Sequence, residues 1–105
     1  MRLYSGAPLS PDEAARLVLS PNVYVYRVNG RDVDWTGTAY EFEPGTYMLT
    51  LTYFEGETRR YRGGGVLQVP FHAQAGHSYT LYYRVQYESS QEWQAWIVDT
   101  TPAVQ

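Results

Sequence analysis

The sequence has no cysteine, no excess of positive charge and no long apolar run. Without cysteine, the chain can form no disulfide, no thiolate nucleophile and no cysteine-ligated metal site. A net charge of −3 disfavours general nucleic-acid binding. Because a membrane-spanning helix needs about 20 consecutive apolar residues, we expect no transmembrane span. These absences leave a domain whose stability rests on the packing of its side chains.

The length of 105 residues predicts a single domain, residues 1–105, with a core of modest size. We expect residues 1–21 to form an N-terminal arm and a short helix, and residues 99–105 to form a C-terminal tail. No signal peptide is recognised, because Met1 is followed almost at once by polar residues and glycine.

The short helix is predicted between Ser10 and Leu19. Ser10 and Glu13 have the spacing of a capping box, and Pro11 falls at the first helical position, where its missing N–H costs nothing. Ser20-Pro21 is expected to end the helix, since the residue before a proline is pushed out of the helical conformation. The expected apolar stripe of this helix consists of Ala14, Leu17 and Val18.

Most of the remaining chain alternates between apolar and polar residues, with the period of two that is typical of half-buried strands. Turn residues separate these segments at intervals of about eight to twelve residues, which is the spacing of small β-sandwiches. We therefore predict an all-β, two-sheet β-sandwich, immunoglobulin-like or transthyretin-like, with one short N-terminal helix. The predicted strands are residues 22–28, 31–35, 38–42, 47–53, 58–62, 67–73, 79–87 and 93–98.

Three turns are predicted from glycine and its neighbours. Asn29-Gly30 is typical of a tight hairpin. Pro44-Gly45 fits a type II turn, which splays a tight hairpin, so we expect this corner to carry the chain from one sheet to the other. Residues 74–76 are predicted as a hairpin loop with Gly76 in the left-handed conformation. The strands beside that loop would pair Phe71 with Tyr79, Ala73 with His77, Val69 with Leu81, and Leu67 with Tyr83.

The sequence offers no convergent set of catalytic or metal-binding residues. His72 and His77 are the only histidines. The predicted register places them on opposite faces, whereas a metal site needs three or four convergent ligands, so we predict no metal and no cofactor. The acidic pairs at positions 32/34, 41/43 and 55/57 flank turns and are interpreted as solvated surface. No segment resembles a nucleophile elbow, and we predict that the protein is not an enzyme.

Two sets of residues are candidates for ligand binding. Trp35 and Trp93, if exposed, could stack on a sugar or contact a protein, whereas Trp96 is expected in the core. An arginine cluster beside three consecutive glycines could hold phosphate, a lipid headgroup or acidic polysaccharide. This cluster consists of Arg59, Arg60 and Arg62, in the loop of residues 59–65.

Several short segments of the sequence resemble segments of small predicted bacterial lipoproteins. They lie at residues 3–6, 12–17, 28–30, 43–47, 71–79 and 96–99. More loosely, the chain resembles PEGA-type surface-layer β-domains, which carry similar glycine turns. The resemblance implies a periplasmic or outer-membrane-tethered β-sandwich without known enzymatic residues. The lipid-attachment cysteine and the signal are lacking, so a lipid anchor would belong to a longer precursor.

Together these observations predict a non-enzymatic bacterial envelope domain with a protein-interaction or structural role. The expected partner is an envelope protein or a cell-wall component, and nucleic acid is not expected. The alternative is a carbohydrate- or anionic-ligand-binding module that uses the arginine loop and exposed aromatic residues. An exposed aromatic patch on one sheet would favour the first hypothesis, whereas burial of Tyr82, Trp35 and Trp93 would argue against it.

Overall fold

A computed structural model describes residues 7–33, 38–57, 60–63, 66–85 and 93–102. The described part of the chain contains nine strands and no helix, and therefore no helix that could cross a membrane. The strands are β1 (Ala15–Leu19), β2 (Val23–Val28), β3 (Arg31–Asp32), β4 (Ala39–Phe42), β5 (Gly45–Glu57), β6 (Arg60–Gly63), β7 (Leu67–Ala73), β8 (Ser78–Val85) and β9 (Trp93–Asp99).

The strands form two sheets, so the prediction of an all-β, two-sheet protein is confirmed. The first sheet has the order β4-β1-β8-β9. Its two central strands, β1 and β8, run parallel, and the outer pairs are antiparallel. The second sheet is built on the long strand β5 and has the order β3-β2-β5-β6, with β7 also pairing with β5. The chain therefore passes repeatedly from one sheet to the other.

The hydrophobic core is formed by the inward faces of the two sheets. Phe71 of β7 lies with its ring 5.0 Å from that of Phe42 and 4.9 Å from that of Tyr79, both in edge-on contact. These contacts join β7 in the second sheet to β4 and β8 in the first. The largest fully buried side chains are those of Leu17, Val25, Tyr40, Phe42, Leu49, Leu51, Tyr53, Phe71 and Leu81.

The predicted N-terminal helix is wrong, although the half of its capping box in which Glu13 accepts the Ser10 N–H forms. The backbone N–H and the hydroxyl of Ser10 donate to Oε1 of Glu13, at 3.1 and 2.8 Å. A single turn follows, and the chain then enters β1, in which alternate residues are buried. As a strand, residues 15–19 pair with β4 on one side and β8 on the other. This pairing provides backbone partners along both edges, which outweighs the local helix signal.

The predicted hairpin between β7 and β8 is also wrong, because the two strands lie in different sheets. The loop itself was predicted correctly in one respect: Gly76 has φ = 77°. The His77 N–H donates to the Gln74 carbonyl at 3.1 Å, so the four residues form a turn with glycine in its third position. A positive φ there is the mark of a type II turn, which splays the flanking strands. Phe71 and Tyr79 consequently meet across the sandwich instead of side by side.

The turn predicted at Asn29-Gly30 agrees with the structure, whereas the type II turn predicted at Pro44-Gly45 is wrong, because the φ of Gly45 is 156° and not the value of about 80° that a type II turn requires there. Asn29 and Gly30 have φ of 52° and 79°, the signature of a type I′ turn, and they join β2 to β3. Glu43 and Pro44 connect β4 of the first sheet to β5 of the second, which begins at Gly45. The prediction that this corner carries the chain between sheets is therefore confirmed.

Candidate interaction surface

The outer face of the first sheet carries a cluster of exposed apolar side chains. Of the six large hydrophobic residues that are exposed in the described part of the chain, four lie on this face. Their exposed fractions are 43% for Val18, 40% for Tyr82, 44% for Trp96 and 39% for Val98. We call these four residues the outer patch.

Strand register makes the outer patch contiguous. Thr80 of β8 lies between Val18 of β1 and Val98 of β9, forming one row across three strands. Tyr82 and Trp96 are register partners in the next row on that face. Their rings are stacked with centroids 6.2 Å apart and planes inclined by 29°. The two rows together form one apolar surface with an aromatic end.

Polar residues border the patch on two sides. Arg84 and Gln94 pair with each other in the row beyond the aromatic rings. On the opposite side, Arg16 lies between Glu41 and Ser78 in register. An apolar centre with a polar rim containing arginine is the usual anatomy of a protein–protein interface.

The two described tryptophans point in opposite directions, as their parity in β9 requires, but not in the directions expected. Trp93 is only 7% exposed and packs edge-on against Tyr53, with the ring centroids 4.9 Å apart. It also contacts Tyr83 at 6.3 Å. Trp93 therefore belongs to the core and cannot present its ring to a surface ligand, whereas Trp96, expected in the core, is exposed. Both faces of this strand are apolar, so alternation alone could not decide between them.

The remaining predicted site residues are only partly covered by the structure. Trp35 and Arg59 lie outside the described residues. Arg60 and Arg62 belong to β6, where their backbones pair with Glu57 and Glu55 of β5. The side chains of Arg60 and Arg62 lie outside what the structure describes, so the arginine site stays a prediction.

A hydrogen-bonded network closes one end of the first sheet. The Nδ1–H of His77 donates to Oδ2 of Asp99 at 2.6 Å. The hydroxyl and the backbone N–H of Thr101 donate to Oδ1 of the same carboxylate, at 2.5 and 3.0 Å. The Thr101 hydroxyl oxygen also accepts the Ser78 N–H at 2.9 Å. The network thereby ties the segment that follows β9 to the beginning of β8.

The carboxyl group of this network is strongly perturbed. Hydrogen bonds from the Thr101 hydroxyl, and then from His77 and the Thr101 backbone, lower the pKa of Asp99 to about 2. His72, by contrast, lies in β7 of the second sheet, where its Nδ1 is 3.2 Å from the Thr46 hydroxyl. Among the described residues, no three potential metal ligands converge.

An open depression of about 550 Å³ lies beside the hairpin of β2 and β3. Two of its polar side chains form hydrogen bonds to the backbone of the fold. Oδ1 of Asn29 accepts the Met48 N–H at 2.8 Å, and the Tyr47 hydroxyl donates to the Glu43 carbonyl at 2.7 Å. Burial, and then the charge of Glu43, raise the pKa of Tyr47. The lining residues are Val28, Asn29, Arg31, Asp32, Val33 and Tyr47.

Of the surfaces described, the outer patch has the features most typical of a binding site: exposure, contiguity, stacked aromatic rings and a polar rim. Sequence reasoning used the exposure of Tyr82 as a test but placed Trp96 in the core. Val98, on the same face of β9 as Trp96, is exposed as well. Comparisons with protein-family models, with curated proteins and with solved structures found no match to this chain.

Proposed function

We propose that this chain is a non-enzymatic interaction domain that binds a partner protein through the outer patch. The single observation that carries the proposal is the exposed, stacked pair of Tyr82 and Trp96. Tryptophan, tyrosine and arginine are the residues that contribute most binding energy in protein interfaces. Here the aromatic pair lies beside the row that contains Arg84. Large exposed apolar side chains cost solubility, and their grouping on one sheet favours a surface kept for contact.

The geometry around His77 supports a structural role for this histidine. Its Nδ1 is engaged by Asp99, and that carboxylate also holds Thr101. The carboxylate thus fastens the end of β9 to the start of β8. A histidine–aspartate pair also occurs in hydrolases, but it acts there on a positioned nucleophile. The contacts of this pair are instead accounted for by the anchoring of the chain after β9.

Of the two fold types considered, we propose the transthyretin-like one. In the immunoglobulin fold, the first and second strands share one sheet in the order A-B-E-D. Here β1 and β2 lie in different sheets, and β1 runs parallel to β8 in the middle of its sheet. Both features support the transthyretin-like arrangement. The proposal concerns the arrangement of strands and implies no shared activity.

We also propose a bacterial envelope location, periplasmic or associated with the outer membrane. This part of the proposal rests on the resemblance of the glycine turns and strand strings to small lipoproteins and PEGA-type domains. A lipid anchor, if present, would belong to a longer precursor. Fractionation of cells that express the full gene product tests the location, and recovery in the cytoplasmic fraction would contradict it.

The alternative carbohydrate- or anion-binding function rests on the loop of residues 59–65. The side chains of this loop lie outside what the structure describes. Binding to glycans through this loop is therefore one of the outcomes considered in the experiment below.

Site-specific photo-crosslinking tests the proposed protein contact. We would replace Tyr82 by benzoylphenylalanine in the native host and irradiate intact cells. The matched control carries the same group at Met48, which is 41% exposed in the second sheet. We expect one discrete adduct with a second protein from position 82 and none from position 48. Trp96→Ala introduced together with the probe should remove the adduct.

Three results would contradict the proposal. Equal adducts from both positions would indicate non-specific contact, and no adduct from position 82 would leave the patch without a protein partner. An adduct made solely of two copies of this chain would argue against a separate partner. Binding of the purified domain to a glycan array, lost on Arg60→Ala but retained on Trp96→Ala, would favour the alternative function.

A further inference from the structure

Four of the five strands at the sheet edges carry features that discourage pairing with another chain. Short edge strands, charged side chains and proline are the usual protections. β3 has two residues, both charged, and β4 has four residues including Glu41. β6 carries Arg60 and Arg62, and β7 contains Pro70, which lacks a backbone N–H.

The remaining edge strand, β9, has no such protection. Residues 93–98 read Trp-Gln-Ala-Trp-Ile-Val, with no charge, no proline and no glycine. In the described part of the chain, β9 pairs with β8 alone. A seven-residue edge strand whose first six residues are uncharged is a template for pairing with another strand.

The ladder between β8 and β9 shows which backbone groups of β9 are available. The Thr100 N–H donates to the Ser78 carbonyl at 2.8 Å. Hydrogen-bonded and non-hydrogen-bonded pairs alternate along an antiparallel ladder. The pairs Thr80–Val98 and Tyr82–Trp96 therefore continue the hydrogen-bonded series. It follows that the N–H and C=O groups of the intervening residues, among them Ala95 and Ile97, point away from β8.

We propose that β9 pairs antiparallel with β9 of a second copy of this chain, centred on Trp96. In this register Ala95 lies opposite Ile97 of the second copy, so outward-pointing groups meet outward-pointing groups. Trp96 lies opposite its own counterpart in a non-hydrogen-bonded pair, where cross-strand side chains are closest. Val98 lies opposite Gln94. The two exposed apolar side chains of the edge are thus shielded by one contact.

The position of the charge on Asp99 favours antiparallel over parallel pairing of the two β9 strands. The one ionisable residue of β9 is Asp99, at its end. Antiparallel pairing centred on Trp96 places Asp99 opposite Trp93 of the second copy and keeps the two carboxylates at opposite ends of the interface. Parallel in-register pairing would instead place Asp99 opposite Asp99, which is destabilising. Because residues 93–98 are uncharged, no like charges meet elsewhere along the antiparallel interface.

The contact goes beyond the proposed function and does not depend on a separate partner. Joining the two edges would make one eight-stranded sheet from two four-stranded sheets. The aromatic rows of the two copies would then be continuous across the junction. Tyr82 lies on β8, one strand away from the junction, and its ring remains available for a partner protein.

Sedimentation equilibrium of the purified full chain tests the proposal. We expect a concentration-dependent mass that approaches twice the 12.1 kDa of one chain. Val98→Lys adds the protection that natural edge strands use and should weaken the dimer at least about tenfold. Val18→Lys is the matched control, because Val18 lies in the same row at similar exposure but on an interior strand. This control should leave the dimer unchanged.

Amide hydrogen exchange supplies a measurement that does not require any variant. The amides of Ala95 and Ile97 should be protected at concentrations where the dimer forms and exchange rapidly on dilution. Ala95→Pro removes one outward N–H without removing a bond to β8, so it should yield a folded monomer.

A wild-type chain that stays monomeric at millimolar concentration would overturn the proposal. So would a dimer that survives Val98→Lys, or one that is broken equally by Val18→Lys. These results concern the purified chain, whereas the photo-crosslinks report on a second protein in cells. Failure of self-pairing and failure of the proposed function are therefore distinguishable.

Discussion

His77 and Asp99 are joined by a 2.6 Å hydrogen bond at the end of the first sheet, where the chain leaves β9. Both side chains are partly exposed, at 36% and 41%. The bond is reinforced by Thr101, which donates twice to the other carboxylate oxygen. This arrangement positions the segment after β9 against Ser78 without burying a charge.

The first prediction concerns the titration of Asp99. NMR titration of the carboxyl carbon should give a pKa of about 2, below the ordinary value of 3.8. Thr101→Val removes the hydrogen bond with the largest effect and should raise this pKa toward the ordinary value. Thr80→Val is the control, because the Thr80 hydroxyl bonds to Thr100 and not to Asp99. An equal change in both variants would contradict the assigned cause.

The same shift predicts the pH dependence of stability. A carboxyl group whose pKa is lower in the folded state stabilises that state fully above its unfolded pKa. The stabilisation from Asp99 should therefore be complete above about pH 4 and be lost as the pH falls through about 2. Urea denaturation between pH 5 and pH 2 should show a shallower decline for Asp99→Asn than for the wild-type chain. Parallel declines would exclude this contribution.

A pair of substitutions in β1 distinguishes a strand from a helix at residues 15–19. In the structure Leu17 is fully buried and Val18 is exposed, whereas a helix would place both on one apolar stripe. Leu17→Ala should lower the free energy of unfolding by about 2–5 kcal/mol, and Val18→Ala by at most about 0.5 kcal/mol. Urea denaturation measures both. Similar losses at the two positions would contradict the strand.

Phe71 is predicted to be among the most sensitive core positions. It is 1% exposed and its ring contacts those of Phe42 and Tyr79 in the facing sheet. Phe71→Ala should lower the free energy of unfolding by about 3–5 kcal/mol. Met48→Ala, at an exposed site of the neighbouring strand, should change it by about 0.5 kcal/mol or less. A small loss at Phe71 would show that the two sheets do not pack through this ring.

Gly76 tests the turn that separates β7 from β8. Its φ of 77° is strained for any residue with a Cβ atom, so Gly76→Ala should cost about 1–2 kcal/mol of unfolding free energy. Gly76→Asn should cost less, because asparagine tolerates the left-handed region. Gly30→Ala, at φ = 79° with open space around the added Cβ, gives the strain alone. No loss at Gly76 would contradict the assigned turn.

Local patterns were sufficient to predict the strands but not their partners. Alternation placed β2, β5, β7 and β8 close to their observed positions, and Asn29-Gly30 gave the hairpin turn. The partner of β7 could not be found this way, because its inward residues pack equally well beside Tyr79 or across from it. Both arrangements require a left-handed Gly76, so the turn residue does not distinguish them, and the outcome is set by the pairing of β7 with β5.

The two largest errors have a common physical origin. Residues 14–19 fit both an apolar helical stripe and a strand alternation, and Trp93 and Trp96 leave both faces of β9 apolar. In each case distant strands decide the outcome. β4 and β8 supply backbone partners for β1, and Tyr53 and Tyr83 form the site that takes Trp93 instead of Trp96.

The parallel pairing of β1 with β8 also sets the order in which the molecule can be assembled. The Ser20 hydroxyl donates to the Leu81 carbonyl at 2.7 Å across 61 residues of sequence. During synthesis, β1 emerges early but must wait for β8 before its second edge is satisfied. Contacts of such long sequence separation slow folding and prolong the exposure of apolar surface. A nascent chain of this protein would thus depend on β8, its penultimate strand, to cover its first, and a chain truncated before β8 would be prone to aggregation.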